Sequence, residues 1–92
     1  MNPVVETEVE IRNRLGLHAR PAAAFVKVTN RYGSEIMVSK NDLCVNGKSI
    51  MGVMMLGASQ GSCIVLRAEG DDADAMIQEL VALINNGFNE NS

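Results

Sequence analysis

Aromatic side chains are nearly absent: two Phe, one Tyr and no Trp amount to 3% of 92 residues. A core without large rings has to be filled by aliphatic groups, and the chain supplies six Met beside many Val, Ile, Leu and Ala. Positive charge is also short. Eight Lys and Arg against eleven Asp and Glu leave a net charge of −3 and a pI near 5.0. That balance argues against a nucleic-acid partner, since such binding rests on neutralising phosphates. No apolar run approaches the ~18 residues of a membrane-spanning helix, and Met1-Asn2-Pro3 does not begin a secretory signal. No membrane partner is therefore expected, and the expected location is cytoplasmic. The cysteines, Cys44 and Cys63, lack metal-ligand spacing, and each lies in a strand-like run. Both are expected to be buried free thiols, with no metal and no cofactor. Repeats, low-complexity stretches and linkers are missing too, so residues 1–92 are expected to form one domain around one core.

What is present is strong local patterning. From Val4 to Arg12 the residues alternate, Val5, Thr7, Val9 and Ile11 on one face and Glu6, Glu8, Glu10 and Arg12 on the other. This is a half-buried strand. A turn over Asn13 to Leu17 leads to a helix from about Ala19 to Asn30, stopped at Tyr32-Gly33-Ser34, with Ala22, Phe25, Val26 and Thr29 turned inward. Glu35 to Ser39 and Leu43 to Val45 read as a hairpin around Lys40-Asn41-Asp42. Ser49 as N-cap and Gly57 as stop bound a short helix. Its apolar residues run nearly all round, so some of Ile50, Met51 and Met54 must face solvent as a partner-binding patch. Gly61 to Ala68 is a fourth strand. Glu69-Gly70-Asp71-Asp72 then opens a last helix, with acids where its dipole favours them. Its expected inward stripe is Ala75, Met76, Leu80, Leu83 and Ile84, with Ile77 and Val81 at the edges; Gly87 ends it, and Phe88 to Ser92 reads as a polar tail. The order β-α-β-β-α-β-α gives an α+β fold, a four-stranded antiparallel sheet with three helices on one face. Glu6, Glu8, Glu10, Arg12, Glu35 and Arg67 are left on the solvent side.

The chemistry concentrates in Gly16-Leu17-His18-Ala19-Arg20-Pro21, which holds the sole histidine of the chain at the start of the first helix. Gly16 is a pivot, and Pro21 suits a first helical turn, where its missing N–H costs nothing. His18 lies ahead of free backbone N–H groups and the positive end of a helix dipole, a geometry that attracts phosphate. Arg20 adds a permanent charge with a fork of donors suited to phosphate oxygens. An imidazole nucleophile, a phosphate-shaped hole and one arginine make a phosphoryl-accepting site.

Two separated stretches resemble one family. Gly16-Leu17-His18-Ala19-Arg20-Pro21-Ala22 is similar to the active-site loop of the histidine-containing phosphocarrier protein HPr, and Lys48-Ser49-Ile50-Met51-Gly52-Val53-Met54, followed by Leu56-Gly57, to its second helix. The resemblance covers nearly the whole chain and implies an open-faced β-sandwich that works as a phosphoryl relay without being an enzyme. It implies that His18 accepts phosphate through Nδ1 from enzyme I, which draws it from phosphoenolpyruvate, and passes it to enzyme IIA components. Arg20 would be the charge partner, with Ala19 beside it at the phosphate. Ser49 matches the residue modified by an ATP-dependent HPr kinase/phosphorylase, a modification read by a transcriptional regulator. Docking is expected at Ala19, Arg20, Phe25, Lys27, Lys48, Met51 and Met54, with Met55 at the margin, and the default oligomeric state is a monomer. Arg14-Leu15 ahead of Gly16 departs from the small or polar residue of many relatives, and Asn46-Gly47 makes an unusual turn before Lys48. The tail from Asn85 to Glu90 is similar to the nitrogen-related branch, so a nitrogen-branch carrier, or a regulatory module acting only through Ser49, is the alternative. A small acyl-phosphate hydrolase has a related element order but no use for His18.

Overall fold

The alternation at the N-terminus decides which side of the sheet is wet. The computed structural model describes residues 2–90. Its elements are β1 (Val4–Glu10), α1 (Ala19–Thr29), β2 (Glu35–Lys40), β3 (Leu43–Asn46), α2 (Ile50–Met55), β4 (Cys63–Glu69), α3 (Ala73–Asn85) and a 3-10 turn, Gly87–Asn89. The strands lie in the order β1-β4-β2-β3, and every pairing is antiparallel. One face of this α+β open-faced sandwich carries the helices. There Val9, Ile36, Val38, Val45, Ile64, Leu66 and Ala68 meet Ala22, Phe25 and Val26 of α1, Val53 of α2 and Met76, Leu80 and Ile84 of α3. The other face holds Glu6, Glu8, Glu10, Glu35 and Arg67, all exposed. Glu6 stands opposite Arg67 in the register and their charged ends are 3.7 Å apart.

Three sequence expectations are corrected. Cys44 and Cys63 are free thiols but exposed. The inward phase is set by Ile64, Leu66 and Ala68 in β4 and by Val45 in β3, and a period of two then turns the neighbouring cysteines outward. The buried stripe of α3 is Ala73, Met76, Ile77, Leu80 and Ile84, whereas Ala75 is exposed and Leu83 half-buried. Ala73 starts a self-consistent row at helical spacing, and Ala75 lies about half a turn away from it. The C-terminal segment is not simply polar, because Phe88 joins the core at 6% exposure. Residues 91 and 92 of that tail lie outside the described residues.

Polar contacts tie the helices to the loops. Thr29 Oγ1 donates to Gly47 O at 2.9 Å and Lys48 Nζ to Tyr32 O at 2.7 Å, seating α2 beside α1. Asp72, at the start of α3, makes no side-chain cap but reaches the loop before β2, accepting from Ser34 Oγ and from the N–H groups of Gly33 and Ser34 at 2.9 Å each. The Ser34 hydroxyl, then the Gly33 amide, hold the Asp72 carboxyl below its ordinary range. The Tyr32 phenol, donating at 2.5 Å, does the same for Glu79, with Arg31 assisting. A carboxyl whose folded pKa is depressed adds stability above its unfolded pKa, near ~4, and loses it as pH falls through the folded value. The melting temperature should therefore decline below about pH 4, as these two carboxyls protonate. Asp72→Asn with Glu79→Gln should melt lower than wild type at neutral pH and show a shallower acid decline. Melts taken from neutral to acid pH check this, and parallel curves for the two proteins would refute it.

Candidate functional site

The loop that carries His18 is held by backbone geometry. Gly16 adopts φ +70, and a Cβ there would come 2.3 Å from Ala58 O, so the position demands glycine both for its angle and for its space. The next residue, Leu17, is buried and donates its N–H to Ala58 O at 2.9 Å. Pinned in this way, the chain delivers His18 to the N-cap position of α1 in extended conformation. Its carbonyl accepts the Ala22 N–H at 3.0 Å, while its side chain makes no capping bond. The imidazole is thus free for other work, and its side chain is 37% exposed. Ala19 and Arg20 are exposed in the first turn and, with Pro21 lacking an N–H, they supply the amides that lead the helix. Arg20 makes no side-chain hydrogen bond among the described residues, so its guanidinium is available to an incoming anion.

One contact had no signal in the sequence. Glu90 Oε2 lies 3.1 Å from His18 Nε2 and Oε1 3.4 Å. Asn13, 2% exposed, donates Nδ2 to Glu90 Oε1 at 3.0 Å and to Gly16 O at 2.8 Å, while its Oδ1 is buried without a partner. A separation of 72 residues leaves no local pattern to read. The contact exists because Phe88 buries itself and turns the chain end back.

The second motif sits where its spacing placed it. Ser49 is the N-cap of α2, its Oγ accepting from Gly52 N at 3.0 Å. A Cβ at Gly52 would press on Asn46 O at 3.2 Å and Ser49 Cβ at 3.3 Å, so this glycine leaves room for the cap. Beyond it the helix exposes Met51 at 75%, Met55 at 66%, Ile50 at 44% and Met54 at 41%. Leu15, on the His18 loop, is 69% exposed and adds apolar surface that the docking expectation did not include. Lys27 is exposed; Lys48 is half-buried, with its ammonium engaged on Tyr32. Phe25 must be struck from the expected docking residues. It is fully buried because the inward face of α1 needs a large apolar group against the sheet. Among the described residues no three His, Cys, Asp or Glu side chains converge as a metal ion would require.

The family model for the PTS HPr component phosphorylation site matches residues 5–86. The chain belongs to the HPr family. Phosphocarrier protein HPr of Pseudomonas aeruginosa is 51% identical to it over 84 residues, 90% of this chain and 93% of that protein. HPr-like protein Crh of Halalkalibacterium halodurans is 47% identical over 81 residues, covering 88% of this chain and 96% of its own. The crystal structure of HPr-C-His from Thermoanaerobacter tengcongensis superposes with a TM-score of 0.91 at 50% identity, covering 96% of this chain and 99% of that one. HPr-family chains are phosphocarriers of the bacterial phosphotransferase system, and the histidine, the capping serine and the exposed methionines described above all fall inside the matched residues.

Proposed function

We propose that this chain accepts a phosphoryl group from enzyme I on Nδ1 of His18 and passes it to enzyme IIA components, acting in the cytoplasm as a single monomeric domain. The observation that carries this reading is the placement of His18: at a helix N-terminus, half exposed, with its ring unspent on capping. In the transfer the Nδ1 lone pair forms the new N–P bond while the bond from phosphorus to the donor atom of enzyme I breaks, its electron pair returning to that atom. The reaction is mostly positioning and charge neutralisation. Here Arg20 and the amides of Ala19 and Arg20 face the phosphoryl oxygens. A single arginine makes a shallow trap, as suits a protein that must release its cargo. Ala19, Arg20, Lys27, Lys48, Met51, Met54 and Met55 offer the partners apolar surface with positive charge on a chain that is otherwise net negative. Incubation with phosphoenolpyruvate, magnesium and a bacterial enzyme I, read by mass spectrometry, should add one acid-labile phosphate per chain. Catalytic release of inorganic phosphate, or no label at all, would reject the carrier reading.

Ser49 is proposed as a regulatory acceptor for an HPr kinase/phosphorylase, with a transcriptional regulator as reader. Phosphate there adds a charge of about −2 beside the exposed methionines, weakening docking to an acidic partner face without unfolding α2. Incubation with ATP and the kinase should give an acid-stable phosphate that Ser49→Ala loses. Ser49→Asp should slow transfer from enzyme I on the order of tenfold. The likeness to Crh, the Bacillus subtilis catabolite repression HPr, at 42% identity and a TM-score of 0.65, favours a second reading, a carrier with regulatory outputs only, which labelling by enzyme I together with failure to pass phosphate to any enzyme IIA would support.

A further inference from the structure

A carboxylate can accept hydrogen bonds but has none to donate. With Glu90 facing Nε2 of His18 at 3.1 and 3.4 Å, the hydrogen of the neutral ring belongs on Nε2 and the lone pair on Nδ1. We propose that Glu90 is a positioning residue for phosphoryl transfer, gripping the imidazole through Nε2–H so that Nδ1 is presented as the acceptor. The proposal rests on the carrier reading above and names the group that sets its geometry.

Glu90 is itself held in place. Asn13 is buried, and its one amide group bridges Glu90 Oε1 at 3.0 Å and the carbonyl of Gly16 at 2.8 Å. A single side chain thus couples the loop that delivers His18 to the carboxylate that orients its ring. On the other side Phe88, 6% exposed, anchors the segment in the core. Three successive left-handed residues, Gly87, Phe88 and Asn89 at φ 62, 57 and 61, fold it back on itself. Non-glycine residues seldom adopt this conformation, and at two in a row it is kept only where the surrounding structure demands it. The carboxylate is 16% exposed against 37% for the imidazole, so the gripping group is more sheltered than the ring it holds.

The chemistry benefits in two ways. As Nδ1 gives its lone pair to phosphorus, the ring becomes positive while Nε2 keeps its hydrogen, and a carboxylate against that N–H stabilises the developing charge. A ring tethered at Nε2 also spends less of its time in orientations that point Nδ1 away from the donor.

Phosphoramidate tests this without any partner protein: its P–N bond breaks as the N–P bond to His18 forms, and ammonia leaves with a proton from solvent. Full-length wild type, Glu90→Gln and Glu90→Ala would be labelled side by side, with the ring 15N shifts of His18 recorded at alkaline pH and melting curves to check folding. Wild type should show a protonated Nε2 and a lone pair on Nδ1. Glu90→Ala should weaken that tautomer bias towards that of a free imidazole, release the ring's orientation and take label roughly five- to tenfold more slowly. Glu90→Gln, whose amide oxygen still accepts from Nε2–H but carries no charge, should fall between. Equal rates and equal ring shifts in wild type and Glu90→Ala would overturn the role of Glu90 while leaving the carrier intact. Absence of label on wild type from both phosphoramidate and enzyme I would overturn the carrier reading and this proposal with it.

Discussion

His18→Ala accepts no phosphate from enzyme I and phosphoenolpyruvate: the expected loss is complete. The reason is arithmetic as much as geometry, since the 92 residues hold one histidine and no second imidazole can substitute. Stability should barely move. The side chain is 37% exposed and does no capping, so α1 loses little when it is shortened and the cost is confined to the Glu90 contact, about 1 kcal/mol or less. The variant is therefore a clean probe. Mass spectrometry at mild alkaline pH, which preserves an N–P bond, should find one phosphate on wild type and none on the variant, with melting temperatures within about 5 °C of each other. Equal labelling of the two proteins would remove His18 from the chemistry and turn attention to Ser49.

Phe25→Ala should be the most damaging single truncation for folding. The ring is fully buried in a protein with almost no other aromatic mass, and the smaller aliphatic neighbours of the sheet have no means to fill the space. Loss of a buried Phe costs about 3–5 kcal/mol through transfer and cavity terms. For a domain of this size that corresponds to a fall in melting temperature of roughly 15–30 °C. Met51→Ala is the matched control. At 75% exposure it should leave the melting temperature unchanged while slowing transfer from enzyme I, because its side chain is available only to a partner. Calorimetry and transfer kinetics on the pair separate core from docking surface. A Phe25→Ala protein as stable as wild type but slow in transfer would return Phe25 to the docking surface and contradict its burial.

Much of this molecule is legible along the chain because its signals are local. The alternation from Val5 to Ile11 needs only period two, and it named the wet and dry faces of β1. Ser49 declares itself as an N-cap three residues before the N–H it accepts from. The stretch from Gly16 to Pro21 encodes turn, imidazole and helix start within six positions, so the histidine at the helix N-cap is readable without any tertiary contact. The exposed methionines of α2 were foreseeable for a like reason, since a six-residue helix that is apolar all round cannot bury every face.

Other features depend on what each element meets, and no local pattern holds that information. Whether Cys63 or Ile64 points inward is a choice of phase, settled when β4 took its place between β1 and β2 with Ile64, Leu66 and Ala68 under the helices. The spacing of α3 offers several apolar stripes, and packing against the sheet selects the one through Ala73, part of a turn from the expected one. Phe25 looks the same in sequence whether it is core or docking surface; the sheet beneath α1 made it core. Glu90 shows the limit most sharply. Its contact with His18 spans 72 residues and exists only because Phe88 found a hydrophobic berth and three left-handed residues turned the chain back. Local chemistry determined where the first helix begins and which side chain stands at its N-cap, the residue proposed to carry a phosphoryl group. Tertiary packing alone decided which carboxylate stands behind the ring, because burial is a property of surfaces brought together and not of any one stretch of chain.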